Sequence, residues 1–380
     1  MRIAYIGHYR DGTGYGEAAL NYIESLEKAG LDVVAIPYLL NNRNFNDSEI
    51  IKKCELRKLN NIDCVVLHTL PYFFEKHNNL PTIGIFSTEM SEIPKVWVDK
   101  INLLDLAVVS SQQSKKCCLD SGVKIDIENI PYCSNIDKYS RNYGKLKFID
   151  EIKKDGSIVF YTISEFQQRK NLSGLLKAYY TAFTSDDKVH LVIKSNLPGN
   201  DKYELARKFQ EFNHLVFNGL NLPAEKMPKV SFVPEYYDQN TLYSLHNSCD
   251  IFVQSSFGES WSYPAFDAMA FGKICIVPSS TGYLEYMSEK EGFLINCLET
   301  QCFGIIDADK NLYNSQFNFY SVDINHLKSI MRHCYQNIDK MQEKTYNSIE
   351  KSQNFSQEKI GIMLRKAIED VQKRRIVNMG

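Results

Sequence analysis

The chain has 380 residues, long for one hydrophobic core, and its size predicts two domains of about 150 to 200 residues each. Its 44% hydrophobic and 24% charged residues are those of a globular protein, and a net charge of −2 with no long basic run excludes a nucleic-acid partner. The 10 cysteines form no Cys-x-x-Cys pair and no zinc spacing with histidine, so they read as reduced, buried thiols of a cytoplasmic protein, and no apolar stretch nears the ~18 residues of a membrane span.

Arg2 to Gly7 reads as a first strand that begins at once, leaving no room for a signal peptide. The glycine-rich loop from His8 to Gly16 follows, then a helix from Glu17 to Ala29 stopped by Gly30. The glycines at 12, 14 and 16 do not have dinucleotide-binding spacing, and the second strand, Val33 to Tyr38, ends without an acid for a ribose. Nicotinamide chemistry is therefore disfavoured. Asp63 to His68 and Thr82 to Phe86 are further buried strands. His68 stands at a strand's carboxyl end, where it reads either as a group that orients or acts on an acceptor hydroxyl or as a satisfied core histidine. A helix, the strand Leu106 to Ser110, the helix Ser111 to Gly122 and a strand within Ile125 to Ile130 complete the first half.

The polar, lysine-rich stretch Lys138 to Gly156 reads as a linker. A second βα unit then opens with the strand Ser157 to Ile163, the loop Ser164 to Asn171 bearing Arg169 and Lys170, and the helix Leu172 to Phe183. Lys188 to Ser195, Leu215 to Gly219 and Val230 to Pro234 fit strands, and Asn240 to Cys249 fits a helix. Asp250 to Gln254 is a strand, and Lys273 to Val277 resumes strand character. Between them lies Glu259-Ser-Trp-Ser-Tyr-Pro-Ala-Phe-Asp267, whose Pro264 and the following Gly272 bracket a helix from Pro264 to Phe271. That helix is apolar on nearly every face except for Asp267, placed in about its first turn. A buried acid needs an internal donor or a ligand hydroxyl. Glu259 falls in the loop at a strand's carboxyl end, where open α/β sheets bind ligands. Gly282 to Glu285 starts another helix, Gly292 to Ile295 is a late strand, and Phe355 to Val377 is an amphipathic helix whose basic cluster Lys373-Arg-Arg375 reads as a solvated face.

The stretch Glu259 to Asp267, followed by Ala268-Met-Ala-Phe-Gly272 and continuing through Thr281-Gly-Tyr-Leu-Glu285, resembles the signature of the family 4 retaining glycosyltransferases. Asp267 stands where that family has Glu, Ser260 and Ser262 where glycines are common, and Glu165 where an Arg precedes the loop lysine. The resemblance implies a GT-B fold: an α/β protein of two Rossmann-like domains whose parallel sheets face a central cleft. On that pattern residues 1–150, with a crossing helix over 356–380, form the acceptor domain and 151–355 the nucleotide-sugar domain. It also implies that Glu259 holds donor-sugar hydroxyls, Asp267 the ribose, and Lys170, helped by Arg169, the diphosphate. Gly14 and Gly16 would let backbone approach the donor phosphates, and Ser260, Trp261, Ser262, Tyr263 and Gly282 would line the donor. Backbone from Phe232 to Glu235 would edge the base. Glu89, within Ser87 to Trp97, matches the Glu of a subset of the family and reads either as an acceptor contact or as a structural cap.

The expectation is thus a retaining transferase moving a hexose-like unit from a UDP- or GDP-linked sugar to a glycan, glycolipid or glycoprotein hydroxyl, with peripheral membrane contact compatible with it. No metal or other cofactor is expected, since no Asp-x-Asp pair stands in a suitable loop. The alternatives are a GT-B sugar-nucleotide epimerase or hydrolase, and a non-catalytic nucleotide- or carbohydrate-binding protein.

Overall fold

A computed structural model describes residues 1–39, 48–77, 79–196 and 201–379, with side chains as far as Arg374, so the Arg375 side chain of the basic cluster and Gly380 of the expected crossing helix lie outside it. The chain divides into two units, Met1–Ile136 with Gln353–Gly380, and Asp137–Ser352.

The first unit runs β1 (Arg2–Gly7), α1 (Gly14–Lys28), β2 (Asp32–Pro37), α2 (Glu49–Glu55), β3 (Cys64–His68), β4 (Thr82–Ile85), α3 (Lys95–Ile101), β5 (Leu106–Val109), α4 (Gln112–Asp120) and β6 (Ile127–Asn129). Its strands make one sheet in the order β2-β1-β3-β4-β5-β6, every pairing parallel. Parallel strands are covered on both faces, which is why β3, β4 and β5 are buried at every residue. The first helix starts at Gly14, ahead of the expected Glu17, because Thr13 Oγ1 accepts from the Gly16 N–H and caps it.

The second unit runs α5 (Lys147–Lys153), β7 (Ile158–Glu165), α6 (Leu172–Ala182), β8 (Val189–Asn196), α7 (Lys202–Gly219), β9 (Lys229–Val233), α8 (Gln239–Ser248), β10 (Ile251–Val253), α9 (Tyr263–Ala270), β11 (Ile274–Pro278), α10 (Tyr283–Tyr286), β12 (Phe293–Ile295), β13 (Cys297–Gln301), β14 (Asn318–Val322), α11 (Ile324–Gln336) and α12 (Gln342–Ser352). The main sheet is ordered β12-β11-β10-β7-β8-β9 and is again all parallel, while β13 and β14 form a separate antiparallel hairpin. Phe160, Leu175, Tyr179, Ile193 and Met331 are fully enclosed in its core, each such side chain adding about 1.5–3 kcal/mol. The chain then returns to the first unit as α13 (Gln357–Met379), which packs on α1.

Two expectations are corrected. Leu215 to Gly219 is the last turn of α7, not a strand: Leu205, Phe209, Val216 and Phe217 fall on one buried helical face. The stretch 138–156 is not a free linker, and the unit break falls at Ile136/Asp137 instead of 150. Lys153 of α5 donates to Asp250 at 2.5 Å, and the Leu146 N–H to Ser248 Oγ at 2.8 Å, so these residues are built into the second unit.

In each sheet the order reverses beside the first strand of the unit, between β1 and β3 and between β7 and β10. Such switch points open a crevice beyond the carboxyl ends of the strands, because the flanking connections leave to opposite sides.

Candidate active site

Both loops at the second switch point carry the residues singled out from sequence. Past β7 a single 3-10 turn holds Gln168–Lys170, and Asn171, at φ 49°, caps α6 by accepting from the Gly174 N–H at 3.1 Å. Asn171 Nδ2 donates to the Ser255 carbonyl at 3.0 Å, and Ser255 Oγ returns a bond to the Asn171 carbonyl at 2.9 Å. The loop after β7 is thereby pinned to the loop after β10. The result is an ion cluster: Lys170 Nζ lies 2.6 Å from Glu259 Oε1, and Arg169 Nη1 lies 3.3 Å from Oε2 while donating to the Gly258 carbonyl at 2.6 Å. All three side chains are largely buried, Glu259 at 8% exposure. Burial alone pushes the Glu259 carboxyl up, but Lys170 and Arg169 outweigh it and bring it to about 2. Glu165, the departure from the family's Arg, ends β7 in register with Asn196.

The backbone of Glu259 is held by strained neighbours. Thr281 sits at φ 55°, costly for a β-branched residue, and its Oγ1 accepts from the Glu259 N–H at 3.2 Å. The Gly282 N–H donates to the Glu259 carbonyl at 2.8 Å, and a Cβ on Gly282 would collide with the Ser260 carbonyl. The Gly282 amide is therefore spent inside the protein and not offered to the donor it was expected to line. Ser262 occupies φ 70°, a glycine-favouring conformation, and its Oγ donates to Gln254 Oε1 at 2.7 Å. Trp261 is core: its ring packs 4.8 Å from Tyr286, whose hydroxyl donates to the Trp261 carbonyl. Ser260 is half-buried, and Tyr263 begins α9.

Asp267 falls in the second turn of α9, not the first, and has internal partners that sequence did not suggest. The Tyr139 hydroxyl donates to Oδ1, and Lys138 Nζ stands 3.7 Å away while lying over the Tyr139 and Tyr243 rings. Burial raises this carboxyl, and Lys138 and Tyr139 counteract it. A tyrosine and a lysine in a polar stretch carry no pattern that would have marked them.

The other predicted residues belong to the first unit. His68 is fully buried, shares a 2.5 Å hydrogen bond with the Tyr5 hydroxyl through Nδ1, and has no hydrogen-bond partner at Nε2 among the described residues. Burial drives it well below the ordinary histidine range, so it is neutral. Tyr15 and Tyr22 rings lie 5.0 and 5.6 Å from it. Burial, then Tyr132 and the Glu89 charge, raise Tyr15, and Glu89 also raises Tyr132, so the first unit brings Glu89 near the same tyrosines as His68. Gly16 leaves no room for a Cβ against the His8 carbonyl, whereas Gly14 faces open space. Among the described residues no three His, Cys, Asp or Glu side chains gather as metal ligands, and no helix is long and apolar enough to cross a membrane.

Residues 145–301, which include this ion cluster, match the family described as glycosyl transferases group 1. The matched stretch lies wholly within the second unit. Alpha-monoglucosyldiacylglycerol synthase of Streptococcus pneumoniae is 22% identical over 193 residues, 49% of this chain and 40% of that protein, so the matched part is well under half of that relative. A likeness in fold alone extends over the whole chain. Anabaena Alr3699/HepE, solved with UDP and glucose, superposes with a TM-score of 0.65 at 14% identity, covering 97% of this chain and 100% of that one. Sucrose-phosphate synthase of Thermosynechococcus elongatus gives 0.67 at 14% identity with 100% of each chain covered. The two parallel six-stranded sheets are those of the GT-B fold, as the sequence led one to expect.

Proposed function

We propose that the protein is a retaining glycosyltransferase that moves a hexose-like unit from a nucleotide-diphosphate sugar to a hydroxyl acceptor and uses side-chain cations, without a metal, to meet the leaving group. The observation that carries this reading is the Lys170–Glu259–Arg169 cluster at the second switch point.

A cluster of two cations and one carboxylate retains one positive charge, which favours an anion. When a donor enters, its diphosphate competes for Lys170 and Arg169 and the Glu259 carboxylate is released to accept sugar hydroxyls. As the C1–O bond to phosphate breaks, charge grows on the diphosphate, and preorganised cations stabilise that state more than the ground state. The acceptor oxygen bonds to C1 on the face that phosphate leaves, and its proton passes to the departing phosphate oxygen.

The bound UDP and glucose of the Anabaena neighbour favour a UDP-linked donor, and the name of the pneumococcal relative makes a glycolipid hydroxyl a reasonable first acceptor. The test is nucleotide release from UDP- and GDP-sugars with sugar and glycolipid acceptors, in the presence of a chelator, with the product anomer read by NMR. Release that needs an acceptor and gives the donor's anomeric configuration is expected. Release without any acceptor, an inverted product, or loss of rate on chelation would overturn the corresponding part.

A further inference from the structure

Lys194 is a buried cation that the mechanism above does not use. It lies near the carboxyl end of β8, in register with Ile163 of β7 and Val233 of β9, and is only 3% exposed. An ammonium has three protons to donate. Here, among the described residues, it makes one contact at the outer limit of a hydrogen bond, 3.5 Å to the Ser195 carbonyl, and stands 5.2 Å over the ring of Tyr237. No ion pair to it exists among the described residues; Glu235, the carboxylate that influences it, is exposed and only partly offsets burial, which lowers Lys194 to about 8. A desolvated lysine with so little internal compensation lowers stability, and such groups concentrate where a ligand supplies what the fold omits.

Its position says which ligand. The loop bearing Lys170 leaves β7, the strand hydrogen-bonded to β8, and the Phe166 N–H donates to the Asn196 carbonyl just beyond Lys194. Neighbouring strands are about 5 Å apart, so the ends of β8 and β9 are within a nucleotide's reach of a diphosphate at Lys170. Tyr237, half-buried in the connection after β9, adds an aromatic ring beside the ammonium. An aromatic ring for stacking and a cationic donor are the recognition elements of a base with a ring carbonyl oxygen; adenine has no such oxygen.

We propose that Lys194, beside Tyr237, reads the donor's base by donating to a ring carbonyl oxygen, selecting oxo-bases such as uracil or guanine over adenine. This rests on the nucleotide-sugar reading above. The test is calorimetric titration of UDP, GDP, ADP and inorganic pyrophosphate into the wild type and Lys194→Met, which keeps the side-chain length without the charge. Expected are tighter binding of UDP or GDP than of ADP by the wild type, a roughly 10- to 100-fold loss for that nucleotide in Lys194→Met, and changes within about twofold for ADP and pyrophosphate. The variant should also melt higher than wild type, because an uncompensated buried charge has gone. Nucleotide affinities that are unchanged, or that fall equally for all three, overturn the base-reading role while leaving the transferase reading intact. A wild type that binds none of the nucleotides overturns the donor reading and this inference with it.

Discussion

Lys170 and Glu259 share a 2.6 Å hydrogen bond, although the proposed chemistry gives one to the diphosphate and the other to the sugar. Under the proposed function the two groups neutralise each other until a donor separates them. Removing either one therefore changes the other's environment as well as its own.

Lys170→Ala should lower turnover by roughly 100- to 1,000-fold, the scale for removing one preorganised charge-stabilising group, with a smaller loss in donor affinity. Arg169→Ala should do less to turnover, because part of its guanidinium is occupied with the Gly258 carbonyl. Steady-state nucleotide release separates the two. Normal turnover in Lys170→Ala beside a dead Arg169→Ala would reverse their roles.

Glu259→Gln should bind a free nucleoside diphosphate as tightly as the wild type or more so, since Lys170 loses its internal competitor, while its affinity for the intact nucleotide sugar falls. Calorimetry with matched ligands measures both. A parallel loss of the two affinities would remove Glu259 from the sugar.

Glu259 also predicts a pH effect. Its carboxyl lies near 4.3 when unfolded and is brought to about 2 in the folded protein. A depressed carboxyl stabilises the fold fully above the unfolded value, and that contribution disappears as pH falls from about 4.3 toward 2. The stability difference between wild type and Glu259→Gln, taken from urea midpoints, should therefore shrink across that window. A difference independent of pH there would show that the ion cluster is not formed in solution.

Tyr139→Phe leaves buried Asp267 with Lys138 at 3.7 Å as its remaining named partner, and should cost roughly 1–3 kcal/mol of stability. If the ribose takes over this carboxylate on binding, the same variant should hold UDP more tightly, because the tyrosine no longer competes. Denaturation and UDP titration of one variant test both statements. Unchanged UDP affinity alongside the stability loss would make Asp267 a structural acid.

The meeting of Lys170 with Glu259 was legible because loops at the ends of parallel strands obey a simple geometry. An apolar run ending in Glu165 and another ending before Glu259 needed only to be neighbouring parallel strands for Lys170 and Glu259 to meet. What was hidden depended on contacts distant in sequence. Leu215 to Gly219 has the composition of a short strand, and only its phase with Leu205 and Phe209 shows that it closes a helix. Tyr139 lies 128 residues from the acid it serves. Ser262 and Thr281, at φ 70° and 55°, lack the glycine that usually announces a left-handed backbone, so their conformation could not be read from type.

The return of α13 to the first unit has a consequence for biosynthesis. Gln357 Nε2 donates to Asn21 and Glu24 of α1 at 2.9 and 2.8 Å, and Gly361 sits so close to the Ser25 carbonyl that a side chain would not fit. During synthesis α1 must wait for residues beyond 352 before it is covered, while Asp137–Ser352 is contiguous and can collapse as soon as it clears the exit tunnel. The order of emergence and the order of completion are thus opposite, and the exposed apolar face of α1 is the surface a chaperone would meet during that interval.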